Sequence, residues 1–392
     1  MDSSAFTLTA GPVAASGRVL SALGSPVAYD YGEEFLELFR RAQSKVAEIF
    51  ETSSDVVIMQ GEAILGLEAA AAALVTPGDV CLNLVSGSYG RGYGDLLRRL
   101  GAHVIEVEAP FDAAIDTGEV EAALQAHPEI SIVSVVHCET PAGTLNPVER
   151  ITPIAKRHGA ITIVDAASTV GGVPLAVDAS GIDICVTAPQ KCPGSVPGLA
   201  LVSVSAAAWE RIAANPSAPR KSYLSLLDWK ELWEERGIFP QTPSVSDVVA
   251  LEAACSDLLA EGLAASRAYH ARAARACRAG VRAAGLEIWP CSDEVSSPSV
   301  TAVRLPERIG QLELLAVVRE RLNVILPVSS GMFVDKLIRI GHMGIAARPP
   351  YPLIGVSAVV QGLALLGASV DVGAAAEATL AELVLPLYAT AG

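Results

Sequence analysis

Strand and helix patterns alternate along residues 55–205, and this alternation constrains the fold more than any other feature of the chain. Short runs rich in Val and Ile recur there, separated by Ala-rich or amphipathic helical segments. The strand runs are almost continuously apolar, which is typical of strands covered by helices on both faces. We expect strands at 56–60, 80–85, 103–108, 130–136, 161–165, 184–187 and 199–204. The pattern therefore predicts an α/β fold with a mainly parallel sheet.

The alternation stops after residue 205. Residues 206–243 contain several prolines, and we expect irregular structure there. Beyond them we expect long helices over 245–284, strands at 286–289, 299–305, 324–328 and 337–340, a helix over 311–322, and a final helical region over 355–387. This mixed order predicts a smaller α+β domain at the C-terminus. We divide the chain into an N-terminal arm (1–25), a large domain (26–260) and a small domain (261–392).

Composition argues against several classes of function. The chain has 28 Lys and Arg residues against 43 Asp and Glu, a net charge of −15, so we expect no binding to nucleic acid. No apolar run reaches the ~18–20 residues of a membrane span. The first residues lack the basic and apolar regions of a signal peptide, and we expect a cytoplasmic protein. The seven cysteines and six histidines are scattered without ligand spacing, so we expect neither a disulfide framework nor a bound metal.

Two polar residues follow neighbouring apolar strands. Asp165 ends the strand at 161–165, and Lys191 follows the strand at 184–187. Ligands of open α/β sheets bind outside the carboxyl ends of the strands. A helix-capping aspartate and a surface lysine would explain either residue alone. Together they suit a pyridoxal site, in which a lysine forms a Schiff base and a carboxylate keeps the pyridine nitrogen protonated.

Five segments in the same order resemble the class V aminotransferases, a family of fold-type I pyridoxal-phosphate (PLP) enzymes. They are Thr9–Val13, Asp165–Ser168, Pro189–Lys191, Thr242–Val245 and Ile338–His342. The resemblance covers nearly the whole chain. It implies a large domain with a seven-stranded sheet, a smaller C-terminal domain, and a homodimer or homotetramer with its active site at a subunit interface.

The resemblance also implies roles for single residues. Lys191 holds the cofactor and moves a proton, Asp165 pairs with the ring nitrogen, Tyr89 stacks on the ring, and Arg339 binds the substrate carboxylate. Further cofactor-binding residues are expected at Tyr29, Glu62, His137, Ser168, Phe239 and Thr242. Phe239 and Thr242 resemble residues that the family supplies from the partner subunit. Cys138, beside His137, is interpreted as a packing residue.

Two residues depart from the usual family pattern. The family has a hydroxyl-bearing turn at the first strand–helix junction, where the cofactor phosphate binds, and this chain has Glu62 there. It also has a tyrosine, donating to the phosphate, where this chain has Phe239. Glu62 would repel a phosphate by about 4 kcal/mol for two charges ~4 Å apart at an effective dielectric constant of ~20. The alternative interpretation of Glu62 is a helix-capping carboxylate without a role in substrate choice.

One branch of the family combines such a Gly-Glu turn with the segments 29–31, 86–90 and 239–246 seen here. That branch uses unphosphorylated pyridoxamine and pyruvate, giving pyridoxal and L-alanine. We expect the same reaction, with the vitamer as bound co-substrate. The chain lacks the second arginine expected shortly before Arg339, so another 2-oxo acid is possible as acceptor. The alternatives are an ordinary PLP-dependent alanine–glyoxylate or serine–pyruvate aminotransferase, a PLP-dependent lyase or decarboxylase, and a binding protein without catalysis.

Overall fold

A seven-stranded sheet lies at the centre of the protein, whose computed structural model describes residues 5–384. The strands in chain order are β1 (Phe6–Thr7), β2 (Asp55–Gly61), β3 (Val80–Val85), β4 (His103–Glu108), β5 (Ile130–Val136), β6 (Cys138–Glu139), β7 (Thr144–Leu145), β8 (Ile161–Asp165), β9 (Ile184–Thr187), β10 (Gly198–Val204), β11 (Val300–Arg304), β12 (Val324–Ile325) and β13 (Leu337–Gly341). The central sheet has the order β2-β10-β9-β8-β5-β3-β4. β10 runs antiparallel to both of its neighbours, and the other pairs are parallel. The predicted α/β fold is therefore confirmed.

Helices pack against this sheet and around the C-terminal part of the chain. They are α1 (Gly17–Leu23), α2 (Glu33–Phe50), α3 (Ala63–Leu74), α4 (Ser88–Arg99), α5 (Thr117–Ala126), α6 (Val148–Arg157), α7 (Val177–Ser180), α8 (Ala206–Ala214), α9 (Leu226–Asp228), α10 (Val245–Glu261), α11 (Leu263–Ala283), α12 (Gln311–Leu322), α13 (Tyr351–Leu365) and α14 (Val372–Val384). α3 packs on β9 and β10, α4 on β3, and α6 on β8. The largest buried apolar cluster lies between the sheet and these helices. Within residues 5–384, no helix has both the length and the apolar character needed to cross a membrane.

The C-terminal part of the chain has a second apolar core. Side chains from α11, α12, α13 and the antiparallel pair β11–β13 form it, together with Leu8 from the N-terminal arm. β1 pairs in parallel with β12, so the arm is joined to this part of the molecule. Gly262, with a φ of +89°, separates α10 from α11 next to the predicted boundary at 260. The division into an arm and two domains stays a prediction.

The predictions for single elements were least accurate after residue 205. The segment 206–243 contains α8, α9 and a π-helical stretch at Trp229–Glu234, because its prolines lie outside these helices. The strand expected at 286–289 is reduced to one bridge, between Ile288 and Val303. The strand expected at 324–328 is the two-residue β12. The last residues of the helical region expected to end at 387 lie outside the described residues.

Candidate active site

Asp165 and Lys191 lie at neighbouring strand ends. β8 and β9 are adjacent and parallel; Asp165 is the last residue of β8, and Lys191 lies in the loop after β9. The Ala167 amide donates to Asp165 Oδ1 over 2.9 Å. Burial raises the pKa of Asp165 to about 6, and the nearby Lys191 charge acts in the opposite direction. The sheet thus brings together the carboxylate and the amine that the sequence singled out.

The N-terminal arm covers Lys191. The Lys191 amine donates to the carbonyl of Ala10 over 2.7 Å, and burial lowers its pKa. Gly11 has a φ of +102°, and a Cβ there would lie 2.4–2.6 Å from the outer atoms of the Lys191 side chain. The Val13 amide donates to the carbonyl of Gln190 over 3.0 Å. Gly11 is therefore required both by its backbone conformation and by the space that the lysine occupies.

Tyr89, His137 and Ser168 surround the same strand edge. Tyr89, in the first turn of α4, is 44% exposed; burial of its hydroxyl and the nearby Asp165 charge raise its pKa. The buried His137 donates its backbone amide to the carbonyl of Asp165 over 2.8 Å, and its Nδ1 lies 2.9 Å from the Thr169 hydroxyl. Burial lowers the pKa of His137 to about 4, so its ring is neutral at physiological pH. The carbonyl of the buried Ser168 accepts from the Cys192 thiol. The structure gathers these three predicted residues next to Asp165.

Arg339 reaches the site from the C-terminal part of the chain. Its guanidinium, on β13, donates to the carbonyls of Thr140 (3.3 Å) and Val328 (2.6 Å). The residue is 8% exposed, and burial lowers its pKa. Its Nε has no hydrogen-bond partner, and no carboxylate lies within salt-bridge distance among residues 5–384. A buried guanidinium is stabilised by an anion, so this arrangement suits the carboxylate of a ligand.

Glu62 is exposed at the N-terminus of α3. Its side chain caps the helix, with Oε1 3.4 Å from the Ile64 amide. The same charge acts to raise the pKa of both Asp165 and Lys191, so it influences the groups at the strand edge. Glu62 therefore caps α3 and also acts electrostatically on the candidate site. The effect of Glu62 on substrate choice stays a prediction.

Phe239, Tyr29 and Thr242 are not gathered around Lys191 within one chain. Phe239 is buried in an aromatic cluster, stacked on Trp233 with ring centroids 4.3 Å apart. Tyr29 is 72% exposed and contacts Tyr31, whose ring lies beside Phe239. Thr242 is exposed. The structure thus gives Phe239 a packing position in its own subunit, and the expected contributions of these residues to a partner's site stay predictions.

The unpartnered polar atoms test whether the site fits a pyridoxal-type ligand. The buried Gln190 Oε1 and Arg339 Nε have no protein partner, and the Lys191 amine donates to a backbone carbonyl. A cavity of about 210 Å³ between α3 and α4 borders Tyr89 and Asp165, and Lys191 and Arg339 lie outside its lining. An amine and a ring-nitrogen partner at one strand edge, with the Arg339 guanidinium close enough to Tyr89 to act on it electrostatically, fit the aldehyde, pyridine and carboxylate groups of such ligands. Among residues 5–384 no group of three or more His, Cys, Asp or Glu side chains could hold a metal ion.

Some residues that contact the candidate site residues were not singled out from the sequence. Ala10 and Gly11 contact Lys191, yet the segment 9–13 stood out only as a family motif. Glu139 is a fully buried carboxylate beside Tyr89 and was not singled out. It follows an apolar strand just as Asp165 does, and the same criterion would have found it. Cys138 is buried beside Ser297 and Ser299, as expected of a packing residue.

Comparison with known proteins identifies relatives over nearly the full chain. The family model for class-V aminotransferases matches residues 2–332. Pyridoxamine–pyruvate transaminase from Mesorhizobium japonicum is 44% identical over 376 residues, which are 96% of each chain. The crystal structure of pyridoxamine–pyruvate aminotransferase from Mesorhizobium loti superposes with a TM-score of 0.94 at 44% identity, over 96% of each chain. Ureidoglycine–glyoxylate aminotransferase from Bacillus subtilis gives a TM-score of 0.92 at 26% identity, over 96% of this chain and 97% of that one.

Proposed function

This chain belongs to the class V aminotransferases, and we propose that it moves the amino group of unphosphorylated pyridoxamine to pyruvate or a similar 2-oxo acid. The products are pyridoxal and the corresponding L-amino acid, L-alanine in the case of pyruvate. The likeness to pyridoxamine–pyruvate transaminase over 96% of both chains supports this substrate pair. In this proposal the vitamer is a substrate that enters and leaves.

The carboxylate of Glu62 is the observation that carries the choice of the unphosphorylated vitamer. The N-terminus of a helix attracts anions, since its backbone N–H groups and its dipole are unsatisfied. Here the Glu62 carboxylate already takes that position on α3 and acts electrostatically on Asp165 and Lys191. A phosphate at the same place would meet a like charge, whereas the neutral hydroxymethyl group of pyridoxamine would not.

Lys191 and Asp165 divide the chemistry between them. A bound pyridoxamine ring supplies an electron sink that eases removal of a proton from the carbon bearing nitrogen. Asp165 accepts a hydrogen bond from the protonated ring nitrogen and keeps that proton in place. Burial lowers the pKa of Lys191, so its amine is more often neutral and able to take a proton. The Lys191 amine takes a proton from the C4′ carbon of the vitamer as a base and gives it to the Cα of the amino acid as an acid. Such a role is typically worth about 10²–10⁴-fold in rate.

Arg339 and Tyr89 hold the two parts of the substrates. The guanidinium of Arg339 is fixed by two backbone carbonyls and binds the carboxylate of the oxo acid. Tyr89 lies beside Asp165 and stacks on the pyridine ring. In this proposal Arg339 alone holds the carboxylate of the acceptor, which is pyruvate or a similar 2-oxo acid. Exposed apolar side chains at Val27, Tyr29, Tyr31 and Ile64 support a homodimer or homotetramer, in which a second subunit covers them.

An assay of pyridoxamine against a panel of 2-oxo acids tests the proposal. We expect turnover with pyridoxamine and pyruvate, and little turnover when pyridoxamine phosphate is the donor. Visible absorbance should rise when pyridoxal is added to the purified protein and should be lost on dialysis. A coloured protein that keeps PLP through dialysis, and transfers amino groups only between amino and oxo acids, would instead indicate an ordinary aminotransferase.

A further inference from the structure

Glu139 is a fully buried carboxylate that binds the first turn of α4. Its Oε2 accepts from the Tyr89 amide over 3.1 Å and its Oε1 from the Gly90 amide over 2.7 Å. Burial raises the pKa of Glu139 to about 7, while these two N–H groups act in the opposite direction. Burying a carboxylate is costly unless it is hydrogen-bonded, so its place here depends on α4.

Two glycines leave room for this carboxylate. A Cβ at Gly87 would lie 2.3 Å from the Glu139 carboxyl carbon. A Cβ at Gly90 would lie 2.8 Å from the Leu84 carbonyl and 3.4 Å from Glu139 Oε1. The turn Gly87–Gly90 therefore closes directly around the side chain, with Tyr89 at its centre.

The hairpin that carries Glu139 also holds Arg339. β6 and β7 pair antiparallel, and the amides of Ala142 and Gly143 donate to the carbonyl of Glu139 over 3.1 and 2.8 Å. The carbonyl of the next residue, Thr140, accepts from Arg339. The Glu139 side chain thus accepts a hydrogen bond from the Tyr89 amide, whereas the backbone of the hairpin accepts one from Arg339.

We propose that Glu139 is a positioning residue that fixes Tyr89 over the pyridine ring of the bound vitamer. This inference rests on the proposed function, in which Tyr89 stacks on that ring. Glu139 binds the backbone of Tyr89 itself. Loss of one of its two hydrogen bonds to the amides of Tyr89 and Gly90 therefore lets the first turn of α4 move, and the phenol ring of Tyr89 moves with it. Binding of the pyridine substrate is then weakened more than binding of the oxo acid.

The variant Glu139→Gln tests the inference, because it keeps the size of the side chain and replaces one acceptor oxygen by a donor. We expect KM for pyridoxamine to rise about tenfold, as for a lost hydrogen bond to a charged group. KM for pyruvate should stay nearly unchanged. The matched control is Asp116→Asn, since Asp116 caps the exposed start of α5 by accepting from the Gly118 amide. It should change neither constant.

A double-mutant cycle with Tyr89→Ala separates this inference from the proposed function. We expect Glu139→Gln to add little to the effect of Tyr89→Ala on KM for pyridoxamine. If Tyr89→Ala itself leaves that constant unchanged, the stacking role fails and the inference falls with it. The inference alone is overturned if Tyr89→Ala raises KM for pyridoxamine but Glu139→Gln leaves it unchanged. It is also overturned if the effects of the two substitutions on this constant are fully additive. Should Glu139→Gln not fold, Gly87→Ala, which displaces the carboxylate, should reproduce the selective loss; equal losses for both substrates would contradict it.

Discussion

The two ends of the candidate site differ in how the protein surrounds them. At one end, Lys191 is covered by the N-terminal arm and Arg339 is buried between two backbone carbonyls, and burial shifts the pKa of each. At the other end, Glu62 is exposed at the start of α3. The covered end holds groups whose reactivity depends on burial. The exposed end holds a charge that is open to solvent, so we expect the chemistry to be set at the covered end and the choice of vitamer at the exposed end.

Removal of the amine at the covered end should have the largest effect. We expect Lys191→Ala to abolish turnover while the protein stays folded, because the side chain lies at a strand end and contributes little to the apolar core. The measurements are the rate of pyridoxal formation and the melting temperature. The control is Lys156→Ala, at an exposed position on α6. More than a small residual fraction of activity in Lys191→Ala would show that another group moves the proton.

Removal of the guanidinium tests the same end with a smaller expected effect. We expect Arg339→Ala to weaken binding of the oxo acid about 30- to 5,000-fold, corresponding to about 2–5 kcal/mol for a lost charged partner of a buried carboxylate. Binding of pyridoxamine should change far less. KM values for both substrates are compared with those of Arg304→Ala, which removes an arginine from the paired strand β11. Equal losses for the two substrates in Arg339→Ala would assign Arg339 a structural role.

Removal of the charge at the exposed end should change preference and leave the chemistry intact. In Glu62→Ala or Glu62→Ser we expect affinity for PLP to rise by about one to three powers of ten, from about 1.4–4 kcal/mol of relieved repulsion. The increase should stop short of an ordinary aminotransferase, because Phe239 supplies no hydroxyl. Absorbance titrations with pyridoxal and with PLP measure this rise, and Glu149→Ala, at the exposed start of α6, is the control. An unchanged preference would refute the vitamer choice.

A change of pH should affect the covered end selectively, with the smallest effect of the four. The pKa of Asp165 is raised by burial to about 6, so the carboxylate is mostly ionised at pH 7 and mostly protonated at pH 5. A neutral Asp165 no longer attracts a protonated ring nitrogen, and affinity for pyridoxamine should fall about tenfold between these values. Calorimetric titration at both values measures the change. In Asp165→Asn, pyridoxamine should bind weakly at both pH 7 and pH 5. If the affinity of this variant falls equally steeply between the two pH values, the titration belongs to another group, such as Glu139.

The central fold and the proximity of Asp165 to Lys191 were predictable because their signals are local. Apolar strands such as Ile130–Val136 and Ile161–Asp165 appear directly in the sequence, and parallel pairing brings Asp165 and the Lys191 loop to one edge. Arg339 needed more than local pattern. Its place in the site depends on a strand of the C-terminal core that meets the carbonyl of Thr140, and a family resemblance identified it.

The parts that could not be predicted depend on contacts between distant segments. Gly11 contacts the side chain of Lys191, and Glu139 binds the amides of Tyr89 and Gly90; neither pairing leaves a periodic pattern in the sequence. The α8 helix was missed for another reason, since the prolines that follow it suggested irregular structure over the whole segment. The resemblance implied sites for Phe239 and Thr242 in a partner subunit, and a single chain leaves that prediction untested.

The pairing of the N-terminal arm has a consequence for how the protein matures on the ribosome. β1 pairs with β12, and the Gly341 amide donates to the carbonyl of Leu8, so this part of the arm finds its partners more than three hundred positions later. Loop closure over such a separation is slow, and large domains fold largely in order of synthesis. The part of the arm around Leu8 must therefore wait, undocked, until β12 and β13 have been synthesised, whereas Ala10 and Val13 find their partners at Lys191 and Gln190 earlier. The first residues of the arm should therefore dock after the strands of the central sheet have been synthesised.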